Sequence, residues 1–191
     1  MPNFSRWNEK DADGRWFTFD HQQLGNSCGP ASIKITKESV HNKKMAEEYS
    51  RAVVALFKHD KAHSGTTAAQ MNADVGTHDW ETRGALSTDL LNAMKSNPLA
   101  IKDAKKITGG YANAFRSASR HHPVLISWRW AGPGAHWNVC MGAQRSNPDM
   151  VTLLDPYYGI QSLDISGAGN PNLRYRPDAH SEGRIQVAIT T

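Results

Sequence analysis

The sequence predicts an α+β fold in which a mainly helical part, residues 1–121, packs on a mainly antiparallel β-sheet built from residues 122–191. Three observations carry this. Helix-start signals and helix-period patterns fill the chain between Cys28 and Arg120, short β-prone runs replace them from His122-Pro123 onward, and turns rather than helices separate those runs. A length of 191 residues suits one domain, 1–191, with a sizeable core, and 39% hydrophobic with 21% charged residues is ordinary globular composition.

The first helix is predicted to start at Cys28. The stretch Gly25-Asn26-Ser27 breaks the preceding chain, and Pro30 falls in the first helical turn, where its missing N–H costs nothing. Ala31 to Lys37 then contains no glycine or proline to stop the helix. Lys43 to Lys58 places Met45, Tyr49, Val53, Leu56 and Phe57 at spacings near three and four, an amphipathic helical pattern. Thr66 to Ala73 predicts another short helix. Ser87 and Thr88 are good caps for a helix over Asp89 to Lys95 with Leu90, Leu91 and Met94 on one face, and Gly109-Gly110 introduces a last helix over Tyr111 to Arg120. The stretches Asn72 to Gly84 and Ser166 to Gly183 are rich in turn formers.

Five strands are predicted: Val124 to Trp130, His136 to Ala143, Val151 to Asp155, Ile160 to Ile165 and Arg184 to Ile189. Glycine, proline, asparagine or aspartate bounds each of them. Consecutive strands joined by turns make an antiparallel sheet, and a cleft between helices and sheet is the natural place for chemistry.

Cys28 stands at a helix start, where unpaired backbone N–H groups and the positive end of the macrodipole stabilise a thiolate. It reads as a nucleophile. Gln22 lies six residues upstream across a short loop, placed to donate its amide to a developing oxyanion beside the Cys28 N–H. His136 opens a strand directly after Ala131-Gly132-Pro133-Gly134-Ala135, and imidazole is the usual base for activating a thiol at neutral pH. Asp155 ends the next strand. Two adjacent antiparallel strands bring the start of the first beside the end of the second, so the Asp155 carboxylate can fix the tautomer and orientation of His136. Trp130 and Tyr157, beside the loop and the aspartate, are predicted to wall a substrate cleft. Cys140 shares a strand face with His136 but lies four residues further in, and reads as core.

Other chemistries find less support. The net charge of +4 is spread along the chain with no nucleic-acid-binding motif. Two cysteines without a CxxC pair make no disulfide framework and suit a reducing compartment. The other histidines show no HExxH-like pairing, so no metal and no cofactor is expected. No apolar run reaches signal-peptide or membrane-spanning length. A soluble, cytoplasmic protein is expected, or one exported by a secretion system that reads no cleavable signal.

Three of these motifs, in order, resemble the papain-like cysteine peptidases, and especially compact bacterial members related to the double-glycine leader peptidases of bacteriocin exporters. Gln22 with Cys28-Gly29-Pro30-Ala31 is similar to their oxyanion glutamine six residues before the nucleophile helix, an offset that favours Gln22 over its neighbouring rival Gln23. His136 in His-Trp-Asn-Val-Cys-Met-Gly is similar to their histidine strand, and Asp155-Pro156-Tyr157-Tyr158-Gly159 to their Asp-Pro-x-x-Gly signature. Papain has asparagine at the third position, so Asp155 points toward the leader-peptidase, phytochelatin-synthase and bacterial effector branches. The resemblance implies the papain-like fold and a thiol protease that cleaves peptide bonds through a thioacyl-enzyme. It also implies a Cys28–His136–Asp155 triad, no cofactor, and a peptide or protein as partner. No transporter segment or ATPase follows the motifs, which turns the expectation toward a secreted effector or toxin. A glutamine deamidase, an acyl or peptidyl transferase, and a catalytically silent peptide-binding module on the same fold remain open.

Overall fold

The computed structural model describes residues 6–22, 27–45, 87–131, 134–166 and 173–191. Two strands come first, β1 (Arg6–Lys10) and β2 (Trp16–Asp20), followed by the helices α1 (Cys28–His41) and α2 (Ser87–Lys95). A short strand β3 (Lys105–Ile107) and helix α3 (Tyr111–Ser117) lead into the sheet strands β4 (Val124–Trp130), β5 (Ala135–Ala143), β6 (Met150–Asp155) and β7 (Gly159–Asp164). The two-residue strand β8 (Arg174–Tyr175) and β9 (Gly183–Thr190) close the chain. The main sheet has the order β3-β9-β4-β5-β6-β7, with β8 added on β9, and every pairing is antiparallel. The α+β class holds, with helices packed on an antiparallel sheet.

Both faces of the sheet are covered, and the two-residue period of β structure sorts its side chains between them. On one face Leu125, Trp137, Val139 and Met141 pack with Ile33 and Ile35 of α1 and Leu90 and Met94 of α2. On the other, Val124, Ile126, Trp128 and Cys140 pack with Tyr111 and Phe115 of α3. Leu125 and Ile126 are fully buried, and each such side chain contributes about 1.5–3 kcal/mol. This double burial explains why β4 and β5 read as near-continuous apolar runs.

Helix α1 is the central element, with every residue from Gly29 to Lys37 buried. Its charged side chains are therefore paired. Lys34 Nζ meets Asp20 Oδ2 at 2.5 Å and Glu38 Oε1 at 3.0 Å, tying α1 to the end of β2. Lys37 Nζ donates to the carbonyl oxygens of Ser96 (2.7 Å) and Pro98 (2.9 Å) just past α2, and burial lowers its pKa to about 8.

The start of the chain departs from the helical expectation for residues 1–121. Residues 6–20 form a β-hairpin, with Trp7 opposite Phe19 and Asn8 opposite Thr18. Asp13-Gly14 supplies its turn, with Gly14 at φ +73°. The hairpin is docked by its carboxylates: Asp11 accepts from Arg15 Nε at 2.7 Å and from Thr152 Oγ1 of β6 at 2.9 Å. Asp13 accepts from the main-chain N–H groups of Arg145 and Ser146. The strands β3 and β8 are likewise additions to the expected five.

The helices themselves shift at their ends. Helix α1 runs on past Lys37 to His41 and stops at Asn42, which takes the left-handed conformation at φ 51° that ends many helices. Helix α3 stops at Ser117 rather than Arg120, and α2 includes the expected caps Ser87 and Thr88. The expected helix over Lys43 to Lys58 begins on residues that lie outside any helix, Lys43 to Met45, and the rest of it lies outside the described residues, as does Thr66 to Ala73. Among the described residues no helix is long and apolar enough to cross a membrane.

Candidate active site

Cys28 is the first residue of α1, preceded by Ser27 at the N-cap. It is half-buried and packs against the core beneath the sheet. One helical turn further on, Ser32 Oγ donates to the carbonyl oxygen of Trp137 at 3.0 Å, which fixes the mouth of α1 against the start of β5. The residue before Trp137 is His136. Its ring is only 6% exposed, and the nearby Cys28 thiol is among the groups that raise its pKa.

The adjacency predicted for β5 and β6 is present: Val139 lies opposite Leu154, and His136 Nε2 meets Asp155 Oδ2 at 2.6 Å. Asp155 is 0% exposed, yet both carboxylate oxygens are satisfied. Oδ1 accepts from the main-chain N–H groups of Tyr157 (2.8 Å) and Tyr158 (2.9 Å), a turn that Pro156 opens. Oδ2 accepts from His136 Nε2, from Tyr175 Oη at 2.6 Å and, at the limit of contact, from Asn138 Nδ2 at 3.5 Å. Asn138 is oriented in turn by Trp128 Nε1, which donates to its Oδ1 at 3.0 Å.

These contacts decide the charge states. Burial works against an ionised Asp155, but His136 and the donors around it hold its carboxyl below the usual carboxylate value. Burial likewise opposes an imidazolium, and the neighbouring Asp155 and Cys28 override it, raising His136 well above its ordinary value. The pair is a carboxylate and a readily protonated imidazole. Cys140 behaves in the opposite way: it is fully buried, burial pushes its thiol up to about 12, and its Sγ points at the Phe115 carbonyl at 3.7 Å.

Gln22 follows the hairpin and is 5% exposed. Its N–H donates to the carbonyl oxygen of Pro156 at 2.8 Å, and its own carbonyl accepts from His21 Nδ1 at 2.8 Å. The docked hairpin therefore delivers Gln22 to the residue that follows Asp155. Gln23 lies outside the described residues. Trp130, at the end of β4, stacks on the His136 ring at 5.4 Å and 23°. Tyr157 is 48% exposed and meets Tyr158 edge-on at 4.8 Å, and Tyr158 in turn meets His136 edge-on at 5.9 Å. Of the two expected wall residues, Trp130 thus lies on the imidazole, while Tyr157 is one ring removed from it, beyond Tyr158. Among the described residues no group of three histidine, cysteine, aspartate or glutamate side chains is placed to hold a metal ion.

No protein-family model and no curated protein sequence matches the chain. Solved structures do. The crystal structure of a double-glycine-motif protease from an AMS/PCAT transporter, in complex with the leader peptide, superposes with a TM-score of 0.51 at 14% identity, covering 90% of this chain and 87% of that one. The chain has the papain-like fold. The Pseudomonas avirulence protein AvrPphB aligns more loosely, with a TM-score of 0.34 at 14% identity over 85% of this chain and 91% of that one. Within the papain-like fold, α1 is the helix that carries Cys28 at its start, and β5 and β6 carry His136 and Asp155.

Sequence reasoning missed Tyr175, Asn138 and Tyr158 around this pair. Asn138 was within reach, because it lies two residues after His136 and strand alternation puts both on one face. Tyr175 gave no such signal, since it sits in a two-residue strand inside a turn-rich stretch.

Proposed function

We propose that this chain is a cysteine protease that cleaves peptide bonds with Cys28 as nucleophile, His136 as acid and base, and Asp155 as the group that orients the imidazole. The observation that carries the reading is the connected set at the mouth of α1: the Cys28 thiol beside the His136 ring, and Nε2 of that ring on a fully buried carboxylate at 2.6 Å. The papain-like fold supports it.

In this reading the Cys28 thiol gives its proton to His136, and the thiolate attacks the substrate carbonyl carbon. The resulting oxyanion is held by the Cys28 N–H and by the Gln22 side-chain amide. His136 passes the proton to the leaving nitrogen as the C–N bond breaks, leaving a thioester on Cys28. A water then gives a proton to His136 and attacks the thioester, and the C–S bond breaks to return the thiolate and release the carboxylic acid. Asp155 stays ionised throughout, which keeps the imidazolium stable and its ring aligned. Trp130 and Tyr157 flank the substrate chain. A peptide as substrate gains support from the related fold solved with its leader peptide bound.

The test is to incubate the protein and its Cys28→Ala form with a proteome and to map new termini and deamidated side chains by mass spectrometry. Cysteine-dependent new termini are expected. Deamidated glutamines without new termini would replace the protease by a deamidase, and no cysteine-dependent change would reduce the chain to a silent peptide-binding module.

A further inference from the structure

The Asp155 carboxylate has a donor that the motifs do not contain. Tyr175 is 1% exposed, and its hydroxyl donates to Asp155 Oδ2 at 2.6 Å, the same oxygen and the same distance as His136 Nε2. Its ring lies parallel to the imidazole, with 5° between the planes and 6.3 Å between centroids. Trp128 stacks on it at 5.2 Å and Trp130 at 6.3 Å, so ring and hydroxyl are both fixed. The strand that carries it, β8, is held on β9 by pairing Tyr175 with Gly183. A Cβ at Gly183 would lie 2.9 Å from Trp128 Cβ and 3.2 Å from the Trp130 ring, so the close approach there suits glycine.

We propose that Tyr175 is a positioning residue of the His136–Asp155 pair: its hydroxyl shares Oδ2 with the imidazole, locks the carboxylate in one rotamer, and tempers its basicity toward His136. This rests on the protease reading for its use in turnover, but not for its effect on the pair. A carboxylate oxygen with two short donors divides its charge between them. Removing the hydroxyl donor leaves Oδ2 more basic, so protons bind the pair more tightly and the titration of His136 moves up. Loosened packing acts in the opposite direction: water reaches Asp155, screens it, and lets His136 fall toward its ordinary value. The sign of the shift separates positioning from mere support.

Among the described residues the groups that face the pair are few. Cys28 comes from α1, Tyr158 from the turn after β6 and Tyr175 from β8, while β4 contributes the non-titrating rings of Trp128 and Trp130 and β5 the neutral Asn138. Burial and the adjacent Asp155 raise the Tyr175 hydroxyl far above the usual phenol value, so it remains a donor wherever the protein is folded.

The experiment follows the imidazole of His136 by NMR from about pH 4 to about pH 11 in the substrate-free protein, in Tyr175→Phe, and in both again with Asp155→Asn. Tyr175→Phe is expected to raise the His136 titration by about half a pH unit or more, and to have no effect once Asp155 is Asn. An unchanged titration, a downward shift, or the same shift in the Asp155→Asn background would overturn the proposal. Site-specific 3-fluorotyrosine at 175 keeps ring and hydroxyl while strengthening the donor, so it should fold even where Tyr175→Phe does not. It should lower the His136 titration, and no change or a rise would count against the shared oxygen. Because no substrate is present, a silent Cys28 would defeat the protease reading and leave this result standing.

Discussion

Ser32 Oγ and the Trp137 carbonyl oxygen meet at 3.0 Å, a single hydrogen bond that joins the second turn of α1 to the residue after His136. Both groups are buried, and a buried neutral bond of this kind contributes about 1 kcal/mol. Its larger effect is geometric, since it ties the helix that carries Cys28 to the strand that carries His136. Ser32→Ala is expected to cost about 1 kcal/mol in chemical denaturation, and to slow alkylation of Cys28 at neutral pH by about tenfold. An alkylation rate equal to wild type in a folded variant would mean that α1 and β5 hold their spacing without this bond.

The two cysteines should part company on mutation. Cys28→Ala and His136→Ala should each reduce peptide turnover to background, because a nucleophile and its base act as one unit. Cys140→Ala should keep turnover within about twofold while losing about 1–2 kcal/mol of stability, the cost of a small buried deletion. Turnover assays paired with urea melts read both quantities. A folded but inactive Cys140→Ala would reverse the assignment of the two thiols.

The α+β class and the juxtaposition of His136 and Asp155 were legible in the sequence, but several elements around them were not. His136 and Asp155 stand on consecutive strands whose apolar runs and turn residues are unmistakable, so their adjacency follows from antiparallel pairing alone. The start of α1 at Cys28 was equally plain from Pro30. The hairpin over Arg6 to Asp20 carries its own signal, Asp13-Gly14 between runs containing Trp7, Trp16, Phe17 and Phe19, but its strands are short and half-exposed and lack a clean alternation. Tyr175 was out of reach for a different reason. Two residues of strand have no periodicity, and what makes Tyr175 part of the site is tertiary, the stacking of Trp128 and Trp130 and the approach of β8 to Gly183.

Gly142 tests the packing beneath β5. It sits where the β5–β6 register shifts, at φ +99°, and a Cβ there would lie 2.0 Å from the main-chain carbonyl oxygen of Ala118. Neither strain has a flexible side chain to absorb it. Gly142→Ala is expected to lose at least about 2–3 kcal/mol and to displace the connection after α3, as measured by thermal melting and by amide exchange at Ser119 and His122. A variant as stable as wild type would show that β5 can shed its bulge.

The pH dependence of stability follows from the charged pair. His136 is raised from its ordinary 6.5 to about 10, so its contribution is fully present below 6.5 and is lost as pH rises through the folded value. Asp155 is lowered from its ordinary 3.8, so its contribution is present above 3.8 and lost as pH falls through the lower folded value. The stability gap between wild type and Asp155→Asn should therefore be widest between 3.8 and 6.5 and should narrow toward alkaline pH. Denaturation at about pH 5, 7.5 and 9.5 measures it. A gap that is flat across that range would mean that the imidazole and carboxylate do not titrate as a coupled pair.

The proposed role of Gln22 depends on what its side chain does once a substrate is bound. The main chain at this position is clamped on both sides, N–H to the Pro156 carbonyl and carbonyl to His21 Nδ1, each at 2.8 Å. Truncation to alanine leaves both bonds intact, so Gln22→Ala removes the amide without releasing the loop. If that amide binds the oxyanion, kcat should fall by about 10²–10³ with KM nearly unchanged, since the donor acts chiefly in the transition state. Alkylation of Cys28 should survive, because it needs the thiolate and the imidazole but builds no oxyanion. Gln23→Ala is expected to be mild. Should Gln23→Ala be the inactive variant and Gln22→Ala behave as wild type, the oxyanion donor would move one residue along the chain and the clamp on Gln22 would serve only to anchor the hairpin.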